Sequence, residues 1–159
     1  MATVSMVRGS GGHSTRNGNT SVPYLVEREF DWADVVAEKG SAIVTTDVIE
    51  AINIPAKTLV YAAGVEVIEA DTTADTAVAD LGDGADTDRY AVGFDLEGAA
   101  GAASAVVAAN VPFFYNAADT IDLVLTISTA APSDGKIRVW AVVQDASDRS
   151  APGLAPRGG

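Results

Sequence analysis

Four carboxylates, Asp80, Asp83, Asp86 and Asp88, fall within nine residues and are interleaved with Gly82 and Gly84. A flexible, carboxylate-rich loop of this kind can surround a hard cation such as Ca²⁺. The order of residues departs from the EF-hand pattern and lacks its distant Glu. The expected role is therefore a solvated turn in which the Asp side chains bond their own backbone, with a bound cation as the alternative. Asp71, Asp75, Asp119, Asp122 and Asp134 add carboxylates from which a glycosidase-like acid pair could be drawn. Such a pair needs surroundings that separate the two pKa values and usually an aromatic substrate platform, and the chain has only two Trp, so these are read as surface acids. There is no Cys, which excludes thiolate metal sites, disulfides and cysteine nucleophiles, and the single His13 sits in a Gly/Ser/Asn-rich stretch unsuited to holding a catalytic base. No catalytic residue, no metal ligand and no cofactor site is expected, and the chain is not read as an enzyme.

The remaining candidates are contact residues. Phe113 and Phe114 are strand neighbours, which point to opposite faces, so one of the pair is expected at an interface. Phe30, Trp32, Phe94 and Trp140 are expected in the core, because the apolar content is largely alanine and the few large side chains must fill the interior. Arg8 and Arg16 are the only charged residues in the first 22 and are candidates for contact with an acidic partner.

The elements that must position these residues follow from periodicity and punctuation. The chain has 159 residues, enough for one domain and few for two. Residues 1–22 are Gly, Ser, Asn and Thr with two Arg and no acid, a composition that cannot offset its own ordering entropy, and they read as a flexible arm. Residues 146–159 read as a second flexible tail, which leaves residues 23–145 as the folded unit. Within it, alternating or β-branched runs separated by turn residues predict strands at Tyr24 to Trp32, Val44 to Ile54, Thr58 to Glu69, Thr76 to Leu81, Tyr90 to Leu96, Val111 to Tyr115, Thr120 to Ser128 and Lys136 to Gln144. Asp31 to Lys39 and the Ala-rich Gly98 to Asn110 are candidate short helices, the second weakened by its glycines. Eight short strands with little helix predict an all-β fold, a jelly-roll-like β-sandwich with flexible ends.

Ten basic against 22 acidic residues, net −12, oppose binding a polyanion, so nucleic acid is not an expected partner. No apolar run reaches the roughly 20 residues of a membrane-spanning helix, and Met1 to Thr20 lacks the apolar core of a secretory signal, so neither membrane nor export is expected.

Four stretches carry a resemblance: "DVIEAINIPAKTLV" (Asp47 to Val60), "VEVIEADTTADTAVADLGDGADTDRY" (Val65 to Tyr90), "NAADTIDLVLT" (Asn116 to Thr126) and "GKIRVWAVVQD" (Gly135 to Asp145). In this order of strands and turns, covering about three quarters of the chain, it resembles the capsid decoration (cement) proteins of tailed phages. The resemblance implies a structural virion protein on the capsid exterior, often a homotrimer, which bridges neighbouring copies of the major capsid protein and stabilises the shell. A basic arm suits attachment to such a shell. The competing reading is a receptor- or carbohydrate-binding β-sandwich of a phage tail fibre or adhesin, which usually places exposed aromatics on its loops, whereas the loops here are Ala, Asp, Thr and Gly.

Overall fold

Alternation of apolar and polar side chains is carried through into the sheets. In the computed structural model, which describes residues 3–5, 22–73 and 75–146, Ile137, Val139, Ala141 and Val143 are buried while Lys136, Arg138, Trp140 and Val142 between them are half-exposed. The elements are β1 (Thr3–Ser5), β2 (Tyr24–Asp31), α1 (Trp32–Lys39), β3 (Val48–Ile54), β4 (Thr58–Glu69), β5 (Asp75–Gly82), β6 (Ala91–Asp95), a 3-10 turn at Ala108–Asn110, β7 (Phe113–Tyr115), β8 (Asp119–Ala130) and β9 (Lys136–Asp145). All eight strands expected from the sequence are present.

They form two sheets, ordered β2-β9-β4-β7 and β1-β3-β8-β5-β6, with every pair antiparallel except β1 and β3. From β2 to β9 the chain changes sheet at each connection apart from β5 to β6, and the resulting orders are those of a jelly roll. The core lies between the sheets. It is built from Ile49, Ile54, Leu81, Tyr90, Ile121, Leu123 and Leu125 together with many buried alanines and valines, and each large side chain contributes about 1.5 to 3 kcal/mol on burial. Phe30 and Trp32 meet edge to face at 5.9 Å and close one end of it.

Helix α1 takes up the expected Asp31 to Lys39 segment. Trp32 and Val35, one turn apart, are its buried face. Gly40 ends it in the left-handed conformation, φ 72°, with its N–H donating to the Val36 carbonyl at 2.9 Å. Lys39, in the last turn, pairs with the fully buried Asp47, which also accepts the Val44 N–H at 2.9 Å.

Two segments differ from expectation. Composition assigns all of residues 1–22 to the arm, yet Thr3–Ser5 lie parallel to β3, in register with Val48 to Glu50. The rest of the arm up to residue 21, and the tail from residue 147, are outside the described residues. The Ala-rich segment is not a helix apart from the 3-10 turn. Its backbone is hydrogen-bonded to the edge of β4 instead, with Val67 N–H donating to Ala102 O at 2.8 Å and Ser104 N–H to Val65 O at 2.9 Å, and Val107 N–H then reaches Tyr90 O at 3.0 Å. Bonding to β4 and to the residue just before β6 satisfies donors that a helix would have satisfied internally.

Candidate interaction surface

One end of the sandwich is defined by the start of β2 and β4 and the end of β7 and β9, because Tyr24 pairs with Val143, Thr58 with Asp145 and Thr58 with Tyr115. Here β7 splits its two phenylalanines. Phe114, opposite Leu59, lies on the outer face of the four-stranded sheet and is 44% exposed, with the Lys57 ammonium 5.9 Å from its ring centre. Phe113 is half-buried, meets Tyr115 edge to face at 4.9 Å, and is covered by the Arg89 guanidinium at 3.6 Å.

Beneath them lies a buried polar network. Asp83, only 2% exposed, accepts Arg89 Nε–H at 2.6 Å and the Tyr115 hydroxyl at 2.7 Å on one oxygen. Its other oxygen accepts the backbone N–H groups of Ala85 at 3.0 Å and Asp86 at 2.9 Å. The Tyr115 and Tyr90 hydroxyls are 2.7 Å apart. Burial by itself would raise the Asp83 carboxyl, but the bonds from Arg89, Tyr115 and Ala85 outweigh it and hold the group below its ordinary value. Burial raises both tyrosines, so they stay protonated. With both carboxylate oxygens occupied by donors, the network supplies neither a free base nor a nucleophile. It fixes the loop and β7.

The sequence's carboxylate-rich loop is thus organised by an arginine, and among the described residues no three acids or His converge as a metal site requires. On the surface, hydrogen bonding to Asp86, then desolvation and the charge of Asp86, raise the Asp88 carboxyl above its ordinary value. Asp134, expected as a surface acid, holds Thr72 through its backbone and hydroxyl at 2.7 and 2.6 Å. An open groove of about 430 Å³ lies between β6 and the Ala-rich segment. Its only polar side chains, Asp95 and Ser104, already accept Glu97 and Val65 N–H groups, so it offers no converging chemistry.

Phe30, Trp32 and Phe94 are in the core as expected. Trp140 is not. It is half-exposed on the outer face of the four-stranded sheet, above Gly64, where an added Cβ would stand 2.6 Å from its ring. Sequence reasoning missed its neighbour Leu25, 57% exposed, and Tyr61, 38% exposed. A signal was present: Leu25 shares its strand face with Glu27, Glu29 and Asp31, so the apolar residue stands on the polar side. Arg8 and Arg16 lie outside the described residues.

No family model matches the chain, and no curated protein matches it. Among solved structures, a chain of the capsid of Ralstonia phage GP4 superposes with a TM-score of 0.63 at 13% identity, covering 92% of this chain and 100% of that one. A chain of the cyanophage Pam1 capsid asymmetric unit superposes with a TM-score of 0.55 at 15% identity, covering 87% of this chain and 97% of that one. At these identities the likeness is one of fold, and it extends over nearly the whole of each chain.

Proposed function

We propose that this chain is a structural, non-enzymatic component of a tailed-phage capsid, and more specifically a decoration protein on the capsid exterior that bridges major capsid protein subunits as a homotrimer. The observation that carries the reading is the likeness in fold to a phage capsid chain, over 92% of this chain and 100% of that one. The chemistry supports it in two ways. The buried polar groups of the site are spent on holding loops, and the groove between β6 and the Ala-rich segment lacks converging polar groups. An acidic body also limits contact with packaged nucleic acid. Arg8, Arg16, Phe113 and Phe114 are assigned to partner binding in this reading, Phe114 by direct contact and Phe113 by holding β7 under Arg89.

The test is co-sedimentation of purified protein with undecorated heads, together with sedimentation velocity of the free protein. Saturable binding to heads and a trimer are expected. Absence of binding at every salt concentration would overturn the capsid reading, and a monomer both free and on the particle would remove the trimer.

A further inference from the structure

The outer face of the four-stranded sheet is divided along its length. Toward the end of β2 and the start of β9 it is charged, with Arg138 between Glu29 and Glu66, and Lys136 beside Asp31 and Glu29. Toward the start of β2 and the end of β9 it is mainly apolar, with Gln144 opposite Leu59. Leu25 on β2 stands beside Val142 on β9, Val142 beside Ala62 on β4, and Leu59 on β4 beside Phe114 on β7. Tyr61 lies at the β4 irregularity between Val60 and Ala62, with its hydroxyl donating to Gln144. Leu25 and Phe114 are on the two outermost strands of the sheet, so the band crosses its full width, about 14 Å at the usual strand spacing. Single exposed apolar residues need no explanation, whereas a contiguous band marks a contact surface.

From residue 22 onward, the described chain begins and ends at this same end of the sheet. Val22 precedes β2 there, and Ala146 N–H donates to Lys57 O at 2.7 Å just after β9. The sequence beyond these points, residues 1–21 and 147–159, holds four Arg and one acid, against six basic and 21 acidic residues in the body between them. The apolar band is therefore flanked in sequence by the basic part of an otherwise acidic chain.

We infer that this band is the docking face for a different chain, whose contact surface has an apolar centre and an acidic rim. On the capsid reading, on which this inference rests, it is the face turned toward the shell. A second copy joined through the same face would bring together two sets of arginine-bearing segments of like charge, which opposes that pairing.

The experiment uses the full chain with Leu25→Gln and Phe114→Ser combined, with Val92→Ser as the control. Val92 is 63% exposed on β6, in the other sheet. Circular dichroism establishes folding, and Tyr61→Ser serves as a second probe of the band should the double variant not fold. Binding to undecorated heads is titrated, and the free proteins are sedimented. The double variant is expected to need about tenfold more protein for half-saturation, with Val92→Ser and the free sedimentation profiles unchanged. Decoration by the folded band variants equal to wild type would overturn the assignment. So would loss of self-association in those variants, which would make the band a contact between copies. Failure of the wild type itself to bind heads would instead overturn the capsid reading on which the shell-facing assignment stands.

Discussion

Asp83 takes donors from four residues in three parts of the chain, so replacing it exposes the cost of every one of them. Asp83→Ala leaves Arg89 charged and nearly buried and the Tyr115 hydroxyl without its acceptor, and it is expected to lower unfolding free energy by about 3 kcal/mol in urea titration. Because its folded pKa lies below the unfolded value of about 3.9, its contribution is fully present above that value and is lost as pH falls through the folded pKa. Asp122 behaves in the opposite sense. Burial, followed by the nearby charges of Glu50, Asp119 and Asp83, pushes its carboxyl up to about 6 despite a bond from Thr120, and its Oδ1 has no hydrogen-bond partner among the described residues. The folded state therefore holds a proton that the unfolded state releases, and stability falls as pH rises from about 4 to about 6. Asp122→Asn is expected to be more stable than wild type at pH 7 and to match it below pH 4, as read from thermal midpoints across that range.

Strand β4 was legible to the residue, Thr58 to Glu69, because turn chemistry at Pro55 to Lys57 and alternation at Val65 to Glu69 agree. Strand β1 was not, since three residues carry no period and only pairing with β3 makes Thr3–Ser5 a strand. The split of Phe113 from Phe114 could be read from strand geometry. The Asp83 network could not, because it depends on Tyr115, 32 residues away, being brought beside the loop by β4 and β7. The Ala-rich segment misled for a related reason: its helix propensity yields to the open edge of β4 and to Gly101 at φ 88°. Removing Met1 to Ser5 is expected to leave the circular dichroism spectrum unchanged and to speed amide exchange at Val48 to Glu50, which then become the sheet edge. At the β8–β9 turn, Gly135 has φ 78°, and an added Cβ would lie 2.7 Å from Asp71 N. Gly135→Ala should therefore cost about 2 kcal/mol in denaturant unfolding.

At the scale of the molecule, the proposed attachment would draw on two components of different range: the apolar band, and the arginines of residues 1–21 and 147–159. Their separation is a matter of salt. Exposed charge pairs contribute about 0 to 1 kcal/mol each and are screened as the Debye length shortens from about 10 Å at 0.1 M to about 3 Å at 1 M, while apolar contact persists. Arg8→Ala with Arg16→Ala is accordingly expected to raise half-saturation on heads by less than about tenfold at low salt and to have little effect near 1 M. Deleting Met1 to Thr20 should weaken binding more than the double substitution at both salt concentrations. It removes backbone donors and acceptors, contact area and the β1 pairing, and only part of that loss is screened. The measurement is competition between wild type and each variant for undecorated heads at the two salt concentrations. If the truncated protein competes equally, the arm has no part in attachment, which then rests on the band and residues 147–159. If the double alanine variant fails as badly as the truncation and recovers at neither salt, the two arginines act as buried pairs in the complex, not as screened surface charges.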